Sequence, residues 1–425
     1  MMSTLEIIPI PHTLKATVRV PGSKSMTNRA LLLAALSSGK TRITNALFSD
    51  DTQIFADALQ TLGFDVQLLP DQIEMRLTGL GGNIPTKQAR LFCGNAGTAA
   101  RFLSAFLTIG HGEYVLDGDT RMRERPIGDL VTALTQLGAI IEMSPSNGLP
   151  VKIMASGLPG GLTRMAGDIS SQFLSALLMI SPYAQKPVEI KLTTGLNSKP
   201  YVNLTLAMMC DFGVEIERKG YEYFAIHPAN YQSKGTYSIE SDASAASYFF
   251  AAPAICSGTV RLEHISRRSK QGDIAFLDIL QKMGCTVTEG TDHVEVTGSA
   301  DLRGLEADMR DIPDTAQTLA ALAPFASTPT TITGIASART KETDRVSATC
   351  SELTRLGVKV EEHPDGMTIH PCKSIQPATI KTYNDHRMAM AFSLIGLRVP
   401  GLTIENVGCV SKTFPNFFEV LETLR

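Results

Sequence analysis

Residues 55–66 read Phe55-Ala56-Asp57-Ala58-Leu59-Gln60-Thr61-Leu62-Gly63-Phe64-Asp65-Val66. An amphipathic stretch ends on an apolar residue, a glycine follows, and a short β-rich run begins. The same ending recurs at Leu137-Gly138, Phe212-Gly213, Met283-Gly284 and Leu356-Gly357, so the five glycines stand 71 to 75 residues apart. Each glycine suits the left-handed residue that closes a helix. The run after it, Phe64-Asp65-Val66 or Val358-Lys359-Val360, suits a strand. A fixed period of this size marks a repeated supersecondary unit.

A second kind of helix recurs with the same period. It opens with small polar residues and is then almost wholly apolar. Its openings lie near Ser25, Gly97, Ser171, Ser244, Asp314 and Asp385, 70 to 74 residues apart. A helix apolar all round is buried all round. These six are therefore expected to form two central clusters, with the amphipathic helices outside them. The sixth amphipathic stretch, 416–424, reaches the C-terminus without its glycine and strand. Residues 5–10 supply a strand in their place, which brings the termini together. Six repeats divide three and three. One domain is then discontinuous, 1–21 plus 240–425, and the other is 22–239. The crossings near Pro21-Gly22 and Ile239-Glu240 form a hinge, and the cleft between domains is the expected ligand site.

The bulk numbers exclude several classes. At 425 residues and 43% hydrophobic, the chain can bury more than one core. Its net charge of −3, from 39 basic and 42 acidic residues, gives no global pull on nucleic acid or anionic membrane. The seven cysteines are scattered with no CxxC pair, so neither a zinc knot nor a disulfide framework is expected, and a reducing cytoplasm fits. Residues 1–20 lack an apolar signal core. The longest uncharged run, 243–260, carries Ser244, Ser247, Pro253 and Gly258. It reads as a buried helix followed by a strand, because a membrane span needs roughly 20 mostly apolar residues.

Positive charge must therefore be gathered locally. Helix N-termini present free N–H groups and the positive end of the dipole, and so attract anions. The buried helices open with Lys24-Ser25, Asn95-Ala96-Gly97-Thr98, Ser170-Ser171-Gln172, Asp242-Ala243-Ser244, Asp314-Thr315 and Asn384-Asp385-His386-Arg387. Loops before the amphipathic helices add Arg121, Arg123, Arg125, Ser198-Lys199-Pro200-Tyr201, Arg267-Arg268, Arg339, Lys341-Glu342-Thr343-Asp344-Arg345 and Ser411-Lys412. Cations recurring at equivalent places predict substrates with several phosphate and carboxylate groups; Arg suits planar bidentate anions and Lys acts as a point charge. Taken singly, each piece has a plainer reading. Ser170-Ser171-Gln172 reads as a helix cap, Lys341–Arg345 as a solvated face, His386 as a core histidine and Asp314 as a cap. Their joint placement at matching ends of repeated elements is what marks them. The GxxxxGK[ST], dinucleotide, HExxH and EF-hand patterns are absent, so no metal and no cofactor is expected.

Pro21-Gly22-Ser23-Lys24-Ser25, Gly94-Asn95-Ala96-Gly97-Thr98, Arg123-Glu124-Arg125-Pro126-Ile127, Ser170-Ser171-Gln172, Lys341-Glu342-Thr343-Asp344-Arg345 and Tyr383-Asn384-Asp385-His386-Arg387-Met388-Ala389-Met390 resemble the 5-enolpyruvylshikimate-3-phosphate synthases. The resemblance runs along the whole chain, in order. It implies an α/β fold, a two-domain inside-out α/β barrel of six βαβαββ repeats with buried central helices. It implies transfer of the enolpyruvyl group of phosphoenolpyruvate to shikimate 3-phosphate by addition and elimination, in the shikimate pathway, by a cytoplasmic monomer with glyphosate as an inhibitor. Shikimate 3-phosphate would lie on Lys24, Ser25, Arg29, Ser170, Ser171, Gln172, Ser198, Tyr201, Asp314, Ser337 and Lys341. Phosphoenolpyruvate would lie on Lys24, Gly97, Arg125, Gln172, Arg345, Arg387 and Lys412. Asp314 is the candidate base, and Glu342 the candidate acid with Lys24 as rival or partner. Phe102 departs from the Pro of many members, and Ser337 from the Asn of some.

Two rivals make different predictions. UDP-N-acetylglucosamine enolpyruvyl transferases share the fold but usually carry a Cys or Asp acid near the loop 117–126. That loop here has no cysteine, and Ser170-Ser171-Gln172 favours the shikimate acceptor. A non-enzymatic scaffold that binds a polyanion predicts exposed cations without acids such as Asp314 and Glu342 among them.

Overall fold

The computed structural model describes residues 4–425. The chain forms two compact units, Met1–Pro21 with Glu240–Arg425, and Gly22–Ile239. Three helices are buried along their length in each. In the continuous unit these are Lys24–Leu36, Gly97–Leu107 and Ser171–Ile180. In the discontinuous unit they are Ala243–Cys256, Ala316–Leu322 and His386–Gly396. Leu31, Leu32, Leu33, Leu178, Phe249, Leu319 and Phe392 are all fully shielded from solvent. The small polar residues ahead of these helices have a local job. Ser23, Ser170, Asp242 and Asp385 accept from N–H groups of the first turn, which satisfies donors that no helical carbonyl can reach.

The repeat glycines all hold positive φ: 93° at Gly63, 93° at Gly138, 87° at Gly213, 107° at Gly284 and 79° at Gly357. In each case the next residue's N–H turns back to the helix. Phe64 donates to Leu59 O (3.0 Å), Ala139 to Leu134 O (3.0 Å), Val214 to Met209 O (3.0 Å), Cys285 to Leu280 O (2.9 Å) and Val358 to Leu353 O (3.0 Å). A side chain at these positions would strain the same turn five times over.

Sheets enclose the helices. Five have four strands, and one among the described residues has three. The three-stranded sheet joins Thr4–Glu6 to Thr403–Glu405, so the first strand completes the last repeat. Beside each crossing, a strand pairs within its own unit. Leu14–Val18 pairs in parallel with Gly258–Glu263, and Thr236–Ser238 in parallel with Ser38–Thr44. Each unit's sheet edge is thus closed by a segment from the far end of the sequence. Uncharged residues 243–260 form the buried helix and the start of the following strand.

Leu32→Ala removes a side chain from a helix with no exposed face, and should cost about 2–5 kcal/mol in urea unfolding with an unchanged m value. Asp57→Ala, on the exposed face of Asp50–Thr61, should stay within about 0.5 kcal/mol.

Candidate active site

Each unit carries its own cluster of charged groups. In the discontinuous unit the centre is Arg345, the first residue of the helix Arg345–Arg355, capped by Asp344. Its guanidinium is 4% exposed and meets three carboxylates. Nε donates to Asp385 Oδ2 (2.7 Å) and Nη2 to Asp385 Oδ1 (3.3 Å) and Glu342 Oε2 (2.8 Å), while Nη1 donates to Asp314 Oδ1 (3.2 Å). Burial alone would lower the Arg345 pKa. The Asp385, Glu342 and Asp314 charges outweigh it and hold the group above its ordinary value.

Arg387 lies in the first turn of His386–Gly396. It donates from Nη2 to Asp314 Oδ2 (2.7 Å), and from Nη1 to the Asp314 carbonyl (2.9 Å) and the Tyr248 hydroxyl (3.4 Å). Burial first, against the pull of Arg387, pushes the Tyr248 phenol up to about 12. Lys412 Nζ stands 3.9 Å from Glu342 Oε1. The Asp314 carboxylate is therefore held between two guanidiniums, and Glu342 between a guanidinium and an ammonium. His386 is buried beside Asp385, Nδ1 to Oδ1 3.6 Å. Ser337 lies in the short helical segment Ala336–Thr340, where its carbonyl accepts from Thr340 (3.2 Å), and Lys341 follows it with extended backbone.

In the continuous unit, Lys24 opens the first buried helix and its Nζ lies 3.3 Å from Asp51 Oδ2, on a side chain 2% exposed. One turn on, Arg29 is buried among neutral acceptors: Thr205 Oγ1 (2.8 Å), Ser25 Oγ (2.6 Å) and carbonyl (3.0 Å), the Tyr201 carbonyl (3.3 Å) and Ser175 Oγ (3.4 Å). Its guanidinium carbon sits 5.3 Å from the Phe102 ring centre. No carboxylate of the described residues pairs with it, and burial lowers its pKa to about 10. Arg125 donates to Asn95 Oδ1 (2.8 Å) and the Asn95 carbonyl (3.1 Å). A Cβ at Gly97 would come within 2.6 Å of Arg125 Nη2, so glycine is the residue that lets the guanidinium reach this helix end. Ser170 caps the helix from Ser171 by accepting from Gln172 N (3.3 Å). Ser198, left-handed at φ 56°, opens Lys199–Asp211 and its carbonyl accepts from Tyr201 N (3.1 Å).

Sequence reasoning gives Asp314 as base and acceptor ligand, Glu342 as acid, and Arg345, Arg387 and Lys412 as phosphoenolpyruvate ligands, and these five meet in one cluster. Ser25, Arg29 and Tyr201 likewise meet, as do Gly97 and Arg125. It missed Asp51 and Asp385 as the carboxylates that hold Lys24 and Arg345, because those contacts join separate helices. Among the described residues, no group of three His, Cys, Asp or Glu is arranged to hold a metal ion. No helix there is long and apolar enough to cross a membrane.

Residues 8–421 match the family model described as EPSP synthase (3-phosphoshikimate 1-carboxyvinyltransferase). The chain is 49% identical over 418 residues to a 3-phosphoshikimate 1-carboxyvinyltransferase of Nostoc punctiforme, covering 98% of both chains. It is 47% identical over 425 residues to that of Proteus mirabilis, covering 100% of this chain and 99% of the other. Its fold is similar to EPSP synthase of Acinetobacter baumannii, with a TM-score of 0.83 at 24% identity over 99% of this chain and 98% of that one.

Asp385→Ala strips the bidentate partner from a buried guanidinium and should destabilise the protein by about 3–5 kcal/mol in denaturant unfolding. Asp385→Asn keeps an acceptor for the helix cap and should lose measurably less.

Proposed function

This chain belongs to the EPSP synthase family, and from that premise we propose how its residues divide the work. The reaction transfers the enolpyruvyl group of phosphoenolpyruvate to shikimate 3-phosphate with release of phosphate, a step of the shikimate pathway. The observation that carries the assignment is the Arg345 guanidinium, which joins Asp314 to Glu342 in one buried cluster. An acid and a base held by the same cation suit a reaction in which one proton is removed and another delivered across a single double bond.

Asp314 accepts the proton of the acceptor's 5-hydroxyl as that oxygen bonds to C2 of phosphoenolpyruvate. Protonated Glu342, assisted by Lys24, delivers a proton to the methylene carbon, and the double-bond electrons form the new C–H bond. The tetrahedral adduct then collapses. Phosphate departs with the electron pair of its C2–O bond, a methyl proton returns to Glu342, and the proton on Asp314 passes to the departing phosphate. Substrate anions beside Glu342 raise its pKa and keep it protonated for the first step.

The anions are shared out by chemistry. Arg29, held by neutral groups, takes the shikimate carboxylate. Ser170, Ser171 and Ser198 take its phosphate, and Ser25, Gln172, Tyr201, Ser337 and Lys341 complete that pocket. Phosphoenolpyruvate lies on Lys24, Gly97, Arg125, Gln172, Arg345, Arg387 and Lys412, where glyphosate would compete. Cationic groups preset in a dry site hold charge as it moves between oxygens. The free thiols accord with a reducing cytoplasm, and the chain is taken to act as a monomer.

Phosphate release from phosphoenolpyruvate should require shikimate 3-phosphate and should not occur with UDP-N-acetylglucosamine; the reverse pattern would sink this reading. Glu342→Gln should lower kcat by about 10²–10⁴-fold while both KM values stay within a few-fold. A near-wild-type rate would remove Glu342 from the acid's role.

A further inference from the structure

Glu352 lies two turns beyond Arg345 on the same helix, with a carboxylate 0% exposed. The proposed chemistry does not use it. The repeat shows how unusual it is. Counting back five residues from each repeat glycine gives Ala58, Ala133, Met208, Ile279 and Glu352. The first four are buried apolar residues of the core. Only the fifth repeat buries a charge there, and burying a charge is costly unless partners repay it.

The partners lie on the segment that leads into the next buried helix. Glu352 Oε2 accepts from the backbone N–H of Lys381 (3.1 Å), and Oε1 from the Tyr383 hydroxyl (2.8 Å). Arg355 Nε stands 3.2 Å from Oε2 on the outer side. Tyr383 and Asn384 hold φ values of 54° and 55°, the only consecutive non-glycine pair in the left-handed region among the described residues. Asn384 is braced in turn by Asn406, whose amide donates to its Oδ1 (3.2 Å).

The second repeat supplies an internal control. Gly94-Asn95-Ala96-Gly97 and Tyr383-Asn384-Asp385-His386 each lead into a buried helix at their fourth residue. Gly94 has φ 51°, close to that of Tyr383. A tyrosine in a conformation that glycine takes freely is there for its side chain. Two residues later the segment delivers Asp385, which receives Arg345 through both carboxylate oxygens.

We propose that Glu352 and Tyr383 form a clamp that positions the Asp385–Arg345 pair for phosphoenolpyruvate, neither of them touching substrate. The clamp rests on the reading of Arg345 as a phosphoenolpyruvate ligand. Glu352 grips the segment from one end of the helix, and Asp385 grips Arg345 at the other. The phenol remains a donor throughout the working pH range, because burial, then Glu352, push it up to about 12.

Steady-state kinetics of Tyr383→Phe, Glu352→Gln and the double variant test the clamp. Tyr383→Phe should raise KM for phosphoenolpyruvate about fivefold, the size of one hydrogen bond, with KM for shikimate 3-phosphate within twofold. The double variant should be no worse than Glu352→Gln alone, since both break one linkage. Tyr383→Gly should raise the same KM without lowering Tm, because it relieves the backbone while removing the hydroxyl. The clamp is refuted if Tyr383→Phe and Glu352→Gln both leave that KM within twofold of wild type. It is equally refuted if their effects simply multiply, or if both KM values rise together. Arg345→Lys is the separate control: if it leaves the phosphoenolpyruvate KM unchanged, the ligand reading fails rather than the clamp.

Discussion

A helix that is apolar on every side must be enclosed by other structure, and this constraint governs the rest of the chain. Six such helices cannot offer side chains to solvent along their length. Their ends are the places where polar groups can gather, and their N-terminal ends carry unpaired N–H groups that call for oxygen partners. Caps at Ser23, Ser170, Asp242 and Asp385 answer that need locally. The same ends then become the natural seats for Lys24, Gly97 and Arg387. Burying the helices thus decides where chemistry can be placed before it decides what the chemistry is.

The two units solve the problem of buried positive charge differently. Arg345 and Arg387 are held by carboxylates, with Asp314 serving both. Arg29 is held by hydroxyls and carbonyls and by the face of Phe102, with no anion of the described residues beside it. An arginine whose charge is already neutralised binds an anion by exchange, and its carboxylates are freed to act as acid or base. An arginine without a counter-ion is stabilised outright when an anion arrives. The depressed Arg29 pKa, caused by burial, expresses that unmet need. Arg29 is accordingly the more natural seat for a substrate carboxylate that only needs anchoring, and the Asp314–Glu342 cluster the more natural seat for bond changes.

Much of the fold could be read from the chain because its signals are local. A helix that must close through a left-handed residue before a strand advertises itself as an apolar-glycine pair, and the period follows from the count. The closing of the discontinuous unit's sheet by its N-terminal strand could not be read, because Leu14–Val18 carries no mark of its pairing with Gly258–Glu263 more than two hundred residues away. The site divides along the same line. Cations at helix ends stood out by spacing, and resemblance supplied their chemical names. Of the carboxylates that aim them, Asp385 was visible only as a helix-start residue and Asp51 not at all, because ion pairs between helices leave no periodic trace.

Repetition also offers a way past that limit. Five helices built to one plan provide four references for the fifth, so a residue that breaks the pattern can be weighed without any other protein. Ala58, Ala133, Met208 and Ile279 show that packing at this position asks for an apolar side chain. Gly94 shows that the backbone at the matching turn asks for glycine. Glu352 and Tyr383 violate both demands, and they are bonded to each other. Two local violations that satisfy one another are hard to ascribe to drift, since the left-handed tyrosine places its hydroxyl on a carboxylate oxygen that the Lys381 N–H and Arg355 do not reach. What they secure is the segment that carries Asp385, and through it the orientation of the Arg345 guanidinium, which touches both candidate proton-transfer groups.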